Sequence, residues 1–420
     1  MKAIGYTQPH PIAATPGLQD ITLPDPVALG HDLLVEVHAV SVNPVDTKLR
    51  KSARPAEGDA YKVLGFDASG IVRAVGPEVS LFKPGDRVFY AGAIQRPGTN
   101  SALHLVDERI VGHMPTSLDF GQAAALPLTS ITAWELLFDR IGVQPGKKPT
   151  GKTLLVIGAA GGVGSVLVQL ARRLTSLTII GTASRPETRE WVQSLGAHHV
   201  IDHSQPMAPQ LAAIGLPQVD IVLSLTHTEQ HLPEILEVIA PQGQFGLIDD
   251  LPVLDVMPFK RKAISVHWEL MFTRPLFATP DMVAQMAPRV MDFPLSPSVE
   301  SANAFRPVGP DDLPAAHAGA DAGKGGASGT VNINSRSSIS TAGAASHGIV
   351  AQAIGGGGGT SGASGGGFSG STPGFSSDPR MQFGGGRDFS RGFGGRMSYF
   401  SISSTAAFRM RSGFRNMPFP

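Results

Sequence analysis

The stretch Lys152–Gly164, KTLLVIGAAGGVG, joins two different hydrophobic patterns. The continuous apolar run Leu154–Ile157 is typical of a strand that is buried on both faces of a parallel sheet. Beyond the glycine-rich turn, the run Ser165–Leu174 carries apolar residues at helical spacing. The pattern therefore predicts a strand, a tight turn and a helix in direct succession, with the unpaired N–H groups of the helix N-terminus facing the turn.

The same alternation continues along the chain after this unit. Further apolar runs predict strands, and the segments between them have helical spacing. The predicted strands are 153–157, 177–182, 198–201, 219–223 and 243–248, and the predicted helices lie near 163–174, 187–195 and 229–240. Another strand and helix are expected from Ile264 onward. Alternating strands and helices indicate an α/β fold with a doubly wound parallel sheet and right-handed crossovers.

The first 125 residues follow a period of two instead. Residues 33–40 (LLVEVHAV) alternate apolar and polar side chains, as in a half-buried strand. Residues 67–75 and 86–90 predict further short strands, separated by Pro- and Gly-containing turns. This pattern predicts a barrel-like β domain. Residues 120–137 then read as a helix, a break at Pro127 and a second helix that joins the two parts.

The composition changes near residue 320. Residues 321–420 contain 24 of the 50 glycines and 9 Lys+Arg against 3 Asp+Glu. A segment so rich in Gly, Ser and Ala cannot bury enough apolar surface to offset its ordering entropy. We therefore expect 321–420 to be a disordered tail, dispensable for cofactor binding.

Charge and cysteine content narrow the class of protein. The formal net charge is zero, which gives no global field that favours nucleic acid or membrane. The chain has no cysteine, which excludes disulfides and thiolate-bound zinc or iron–sulfur clusters. The sequence has neither an apolar run of membrane-spanning length nor the long apolar core of a signal peptide near its N-terminus. A cytoplasmic enzyme is the expectation.

The glycine turn itself predicts a phosphate site. Glycines allow close approach of the backbone to a pyrophosphate, which would lie on Ala160, Gly161, Gly162 and Val163 at the helix N-terminus. The second strand should end near a residue that reads the adenosine ribose. It is followed here by Ser184-Arg185 and by no acidic residue, which favours the 2′-phosphate of NADPH over NADH. The alternative is that Arg185 is a solvated residue at the start of the next helix.

Several separated motifs, in a consistent order, resemble the medium-chain dehydrogenase/reductase superfamily. They are GAAGGVG, Ser41–Asp46 (SVNPVD), Leu64–Gly70 (LGFDASG) and Leu126–Glu135 (LPLTSITAWE). Within it, residues 1–285 resemble the NADPH:quinone oxidoreductase branch, and more closely the bacterial zinc-type alcohol dehydrogenase-like proteins. The resemblance implies a GroES-like β-barrel catalytic domain (1–125), a Rossmann NADPH-binding domain (126–265), a cleft between them and a homodimer. It leaves 266–320 as an atypical partial return to the catalytic domain.

The zinc ligands of this superfamily are replaced in the sequence. Alcohol dehydrogenases of this type bind catalytic zinc through two cysteines and a histidine; by the resemblance, Asn43, Phe66 and Leu128 or Thr129 stand in those positions. An amide, a phenyl ring and an alkyl or hydroxyl group do not make that site. His104 and His113 lack the spacing of a metal pair. We therefore expect no metal.

The resemblance also implies roles for individual residues. Asn43 and Thr129 should lie beside the nicotinamide and its ribose. Tyr61 is either a donor to the substrate oxygen or a tyrosine packed on the barrel surface. Leu225 and Ile248 follow the carboxyl ends of two strands, where ligands bind in open α/β sheets. Two roles are open for Phe66, Met271 and Phe272: they either form the apolar walls of a substrate pocket or simply pack in the core.

Three functions remain to be separated at this level. The first is a zinc-independent, NADPH-dependent reductase of a small quinone or α,β-unsaturated carbonyl. The second is zinc-type alcohol dehydrogenase-like activity. The third is a non-catalytic NADPH-binding protein, with an RNA-interacting tail at 383–400 (FGGGRDFSRGFGGRMSYF), where arginine and aromatic residues alternate with glycine. A tail without any partner is the alternative to RNA binding.

Overall fold

The computed structural model describes residues 1–11 and 17–282, together with the backbone of Val331–Asn334 and Ser338–Thr341. The chain divides by its packing into two units, Met1–Ser377 and Asp378–Pro420, and every described residue lies in the first. Most of the predicted disordered tail, all of 383–400 with its RNA-binding hypothesis, and most of the predicted return segment lie outside the described residues. Val331–Asn334 and Ser338–Thr341 pair as antiparallel strands.

The N-terminal part is a barrel of two antiparallel sheets. Its strands are β1 (Lys2–Tyr6), β2 (Gln19–Thr22), β3 (Asp32–Ser41), β4 (Lys62–Val63), β5 (Asp67–Val75), β6 (Arg87–Ala91), β7 (Leu103–Asp107) and β8 (Val111–His113). They form the sheets β2-β1-β4 and β7-β3-β5-β6-β8. Inward-facing residues of both sheets, including Ile4, Val35 and Val72, pack into one core. The predicted β-barrel domain is confirmed.

Helices connect the barrel to the second part. Helix α1 (Pro44–Ser52) follows β3, and α2 (Phe120–Ala124) and α3 (Pro127–Trp134) follow β8. Pro127 occupies the first turn of α3, where its missing N–H costs nothing. The chain then continues through a π-helical turn, Glu135–Arg140. The predicted helix, break and helix over 120–137 therefore lie where the sequence placed them.

The second part is a parallel sheet with helices between its strands. The strands are β9 (Thr153–Ile157), β10 (Thr178–Thr182), β11 (His199–Ile201), β12 (Val219–Ser224), β13 (Ile239–Leu247) and β14 (Ser265–Trp268). The helices are α4 (Gly162–Leu174), α5 (Pro186–Ser194), α6 (Met207–Ala213), α7 (Thr228–Val238) and, after β14, α8 (Thr273–Phe277). The spatial order β11-β10-β9-β12-β13-β14 is that of a Rossmann fold. The predicted fold class is confirmed.

The barrel and the parallel sheet share an apolar cluster. Phe66 and Phe272 lie with their ring centroids 4.7 Å apart, and both are buried with Met271, Leu128 and Ile131. The residues after β14 therefore pack against the barrel and α3. Of the two roles open for Phe66, Met271 and Phe272, the structure shows core packing at this junction.

Candidate functional site

The order of strands reverses between β9 and β12, and the glycine turn leaves the sheet at this point. Gly158, directly after β9, has a φ of +81°, which a residue with a side chain rarely adopts. Its N–H donates to Thr182 Oγ1 at the end of β10 over 3.1 Å. In open α/β sheets, ligands bind outside the carboxyl ends of the strands at such a switch point.

Gly164 allows α4 to approach the end of β9 closely. A Cβ atom at this position would lie 2.4 Å from the Gly158 carbonyl oxygen, a backbone atom that cannot move aside cheaply. Helix α4 begins at Gly162, behind the N-cap residue Gly161, so its first N–H groups have no intrahelical partners and face the turn. The turn is a backbone cradle of the kind that binds a pyrophosphate.

The loop after β12 closes the other side of this cradle. Leu225 N donates to the Ile157 carbonyl over 3.1 Å, and Thr226 Cγ2 lies 2.9 Å from where a Cβ of Gly158 would be. Because Ser224 is paired with Leu247 in the sheet, Ile248 leaves β13 beside Leu225. The structure therefore brings Ala160–Val163, Leu225 and Ile248 to one edge of the sheet.

Ser184 and Arg185 lie at the same edge, after β10. Ala183 N donates to the Ile201 carbonyl over 2.9 Å, which holds the segments that follow β10 and β11 side by side. Arg185 is the N-cap residue of α5, and both Ser184 and Arg185 are half-buried. The neighbouring Arg189 donates to the carbonyls of Ala183 and Val200. Its guanidinium therefore stabilises the backbone around the loop after β10 and is not a candidate ligand contact at the sheet edge.

A network of buried polar groups links the barrel to the first turn of α3. Asn43 Nδ2 donates to Asp67 Oδ2 over 2.9 Å, and Leu128 N, in the first turn of α3, donates to Asp67 Oδ1 over 2.8 Å. Asn43 Oδ1 is buried and accepts no hydrogen bond from the described residues. An unsatisfied buried acceptor costs free energy, which makes this oxygen a candidate for a ligand contact.

A second carboxylate, Asp46, fixes the backbone around Asn43. Its two oxygens accept from Asn43 N (2.8 Å) and Gly65 N (3.1 Å). Burial raises the pKa of Asp46 to about 7, against these two hydrogen bonds. Burial likewise raises the pKa of Asp67 well above its usual range, opposed by Asn43 and Leu128. Burial therefore favours the neutral form of both carboxyl groups, while their hydrogen bonds favour the charged form.

The positions of the expected zinc ligands are used for other contacts. Asn43 is held by Asp67, the Phe66 ring packs on Phe272, and the Thr129 hydroxyl donates to the Leu126 carbonyl over 3.1 Å. Within residues 1–11 and 17–282, no group of three or more His, Asp or Glu side chains is placed to hold a metal ion. These residues do not fit the zinc site of an alcohol dehydrogenase.

The two histidines considered as metal ligands, His104 and His113, contact other groups. His104 is buried, with Nδ1 3.1 Å from the Tyr90 hydroxyl and Nε2 3.0 Å from the Pro97 carbonyl oxygen, and burial lowers its pKa to about 4. His113 is exposed and packs on Phe82. Tyr61 is half-buried and packs against Gly5 of β1, directly before β4. Its reach to the Asn43 site stays a prediction.

A surface depression of about 650 Å³ lies at the opposite edge of the sheet. Its lining includes Gly151, Thr153, Asp220 and Glu237, at the amino ends of β9 and β12. Thr153 and Asp220 bond each other there. This depression is far from the glycine turn, and ligands of open α/β sheets bind at the carboxyl edge instead.

Two family models match the two parts of the chain. Residues 30–124 match the alcohol dehydrogenase GroES-like domain, and residues 162–282 match the zinc-binding dehydrogenase domain. A zinc-type alcohol dehydrogenase-like protein of Staphylococcus aureus (strain Mu50) is 40% identical over 291 residues, which cover 68% of this chain and 84% of the relative. The chain belongs to the medium-chain dehydrogenase/reductase superfamily.

Two further relatives indicate the range of this superfamily. A crystal structure from Rhizobium etli CFN 42, of a protein assigned to the zinc-dependent alcohol dehydrogenases, is 55% identical with a TM-score of 0.69. It matches over 77% of this chain and 95% of its own. Human quinone oxidoreductase is 31% identical over 235 residues, 56% of this chain and 69% of the human protein. The chain is thus an oxidoreductase of a superfamily that uses nicotinamide cofactors.

Sequence reasoning missed the buried acids of this site. Asp46 and Asp67 lie within the motifs SVNPVD and LGFDASG, yet neither was a candidate site residue. A charged residue at the start of an otherwise apolar strand was the available signal for Asp67. The ligand-binding roles of Asn43, Thr129, Ala160–Val163, Leu225 and Ile248 stay predictions, as do those of Ser184 and Arg185.

Proposed function

We propose that this protein is an NADPH-dependent oxidoreductase that transfers a hydride to a quinone or an α,β-unsaturated carbonyl without zinc. The observation that carries the proposal is the engagement of Asn43 and Phe66, at two zinc-ligand positions, with Asp67 and Phe272. Without a Lewis acid to lower its pKa, an alcohol is a poor hydride donor. A conjugated acceptor needs only orientation, a dry cleft and a hydrogen-bond donor.

The residues present fit a dinucleotide. The cradle at Gly158–Gly164 would hold the pyrophosphate, and Leu225 and Ile248 would line the path towards the barrel. The bound nicotinamide would supply the hydride. Asn43 is held by Asp67 with Oδ1 turned away from that bond, so it can accept a donor group of the ligand and fix its orientation.

The substrate side balances with one hydride and one proton. Hydride addition at the β-carbon of an enone leaves an enolate, which takes a proton at the α-carbon; a quinone becomes a hydroquinone in the same two-electron change. We propose that the Tyr61 hydroxyl donates to the developing oxyanion. Asp67, whose pKa burial raises, holds Asn43 in place through this change of charge.

Two alternatives are less well supported. Zinc-type alcohol dehydrogenase-like activity would need ligands that Asn43 and Phe66 do not supply. A non-catalytic NADPH-binding protein is separated from the proposal by turnover alone. The homodimer implied by the superfamily and the cytoplasmic location stay expectations; within the described residues, no helix is long and apolar enough to cross a membrane.

Turnover of conjugated acceptors tests the proposed reaction. Purified protein should oxidise NADPH, followed by its absorbance, with members of a panel of quinones and enones, and it should leave saturated ketones unreduced. The reason is that hydride delivery to a saturated carbonyl lacks the conjugation that spreads the developing charge. Cofactor binding without turnover of any acceptor would favour the non-catalytic alternative.

Arg185 tests the choice of cofactor. Arg185→Ala should raise the Michaelis constant for NADPH about tenfold or more and leave that for NADH nearly unchanged, since a charge-assisted contact to phosphate contributes roughly 1.5–3 kcal/mol. Arg189→Ala is the matched control, because its guanidinium donates to backbone carbonyls. Equal effects of Arg185→Ala on both cofactors would rule out a 2′-phosphate contact.

A further inference from the structure

Three histidines lie together at the carboxyl edge of the sheet, beyond the glycine turn. His203 follows β11, His227 follows β12, and His231 is in the first turns of α7. The rings of His203 and His231 lie 5.8 Å apart and nearly perpendicular. His227 has a left-handed backbone (φ 51°), and its Nδ1 lies 2.7 Å from the hydroxyl of Thr226, the residue that closes the cradle.

The register of the sheet places His203 beside the predicted cofactor-selecting residues. Thr182 is paired with Ile201, so Ser184 and His203 each lie two residues beyond a paired position. The positive charge of Arg185 also acts on the His203 ring. The pKa of His203 is lowered mainly by burial, and the charge of Arg185 contributes to this shift.

The acids near this cluster have other partners. Asp202, which raises the pKa of His203, accepts from the backbone N and hydroxyl of Ser204 at 2.8 and 2.7 Å. Glu234, which raises that of His231, accepts from Met207 N at 2.7 Å. His203 Nδ1 is buried and has no hydrogen-bond partner among the described residues. The charged and titratable groups that act on His203 and His231 are thus Arg185, Asp202, His227 and Glu234.

We propose that His203, backed by His231 and His227, makes the preference for NADPH over NADH depend on pH by taking up a proton when the 2′-phosphate binds. This inference rests on the proposed function and deepens it. In the free protein His203 is predominantly neutral at pH 7, because burial and neighbouring positive charge disfavour the imidazolium. A phosphate dianion beside it favours the charged form through charge–charge attraction.

The sign of the pH dependence follows from this linkage. Binding that raises the pKa of His203 takes up a proton, so the affinity for the 2′-phosphorylated cofactor rises as the pH falls through the pKa of the complex towards that of the free protein. The effect is at most about tenfold in affinity per pH unit for one proton. A cofactor without the 2′-phosphate gains none of it.

Calorimetric titration with NADP⁺ and NAD⁺ between pH 6.5 and 8 tests the inference, since the two ligands differ only by the 2′-phosphate. A phosphate monoester with a second pKa of about 6 is mostly dianionic over this range. For the wild type, the ratio of the two dissociation constants should change about five- to tenfold in favour of NADP⁺ as the pH falls, and buffers of different ionisation enthalpy should report proton uptake with NADP⁺.

In His203→Gln, the ratio of the two dissociation constants should change by no more than about twofold between pH 6.5 and 8. The affinity for NAD⁺, which reports whether the fold is intact, should stay unchanged. His38→Gln, an exposed histidine on β3, should behave as the wild type. A preference for NADP⁺ that is the same at every pH, or an unaltered slope in His203→Gln, would overturn the inference and leave the proposed cofactor standing. No preference for NADP⁺ at any pH would instead contradict the proposed function.

Discussion

Replacing Arg274 with methionine is expected to lower the free energy of unfolding by about 3–5 kcal/mol, because it removes one of the two guanidinium groups that neutralise the buried Glu135. Arg274 is only 7% exposed, and its guanidinium contacts Glu135, Asp139 and Asp281. Glu135 is 2% exposed. Burial and the neighbouring Glu269 raise its pKa to about 9, so the two glutamates share a proton beside Arg274. Urea unfolding followed by fluorescence measures the loss.

The control for Arg274 is an ion pair of the same charge type on the surface. Lys48 and Asp250 pair over 2.7 Å with both side chains about half exposed. Lys48→Met should therefore cost less than about 1 kcal/mol. The penalty of Arg274→Met should also shrink as the pH falls from 8 to 5.5. Loss of Arg274 removes a charge that lowers the pKa of Glu269, so this glutamate, which stays paired with Arg140, takes up a proton more readily in the variant. If Arg274→Met lowers the free energy of unfolding by less than about 1 kcal/mol and this loss does not change with pH, Arg274 does not compensate buried charge.

Gly164→Ala is expected to weaken NADPH binding at least tenfold and to lower stability by about 1–3 kcal/mol through overpacking. The new Cβ would lie 2.4 Å from the Gly158 carbonyl oxygen, so α4 must move away from the end of β9 and carry its N–H groups with it. Because those groups form the cradle, the shift acts directly on the proposed pyrophosphate site. Fluorescence titration with NADPH measures the affinity.

Gly92→Ala is the matched control for this substitution. The atoms nearest to a Cβ at position 92 lie at 3.6 Å or beyond, which is ordinary van der Waals contact. This variant should bind NADPH as the wild type does. If Gly164→Ala binds NADPH with unchanged affinity, the turn after β9 does not position the cofactor, and the site lies elsewhere.

The long periodic elements of the parallel sheet could be predicted from the sequence, and the short ones could not. The predicted strand 153–157 is observed as such, and the predicted helix 163–174 differs from α4 by one residue. Helix α6 was missed because it has seven residues, one of them Pro209, and shows too few turns to establish a period. The barrel strands β1, β2, β4, β7 and β8 have two to five residues each and lack a clear alternation for the same reason.

Some parts of the candidate site could be predicted from the sequence, and others could not. The glycine turn and the residues after Thr182 are local, so a single stretch of sequence reveals them. The Asn43–Asp67–Leu128 network joins residues up to 85 positions apart, and only the packing of β5 against α3 shows that Asp67 is buried and bonded to both. His203 and His231 meet because the segment after β11 approaches α7, although β10 and β9 separate β11 from β12 in the sheet, and no spacing in the sequence predicts this contact.

Asn43 and Phe66, which occupy two zinc-ligand positions of the superfamily, are informative in both the sequence and the structure. Asn43 and Phe66 could be recognised as unsuitable donors from their chemistry alone. The structure adds that their side chains are held by Asp67 and Phe272, so neither is free to rearrange around an ion. The word zinc in the names of relatives is therefore not evidence for a metal ion in this chain.

Activity after chelation tests the central claim most directly. The protein would be treated with a strong zinc chelator, analysed for metal, and assayed for NADPH oxidation with a quinone or enone that the untreated protein reduces. We predict no stoichiometric zinc before treatment and the same rate after it, because the proposed hydride transfer to a conjugated acceptor relies on Asn43, Asp67 and an ordered cleft instead of a Lewis acid. Loss of the rate on chelation, with recovery on adding zinc and one tightly held ion per chain, would contradict the account.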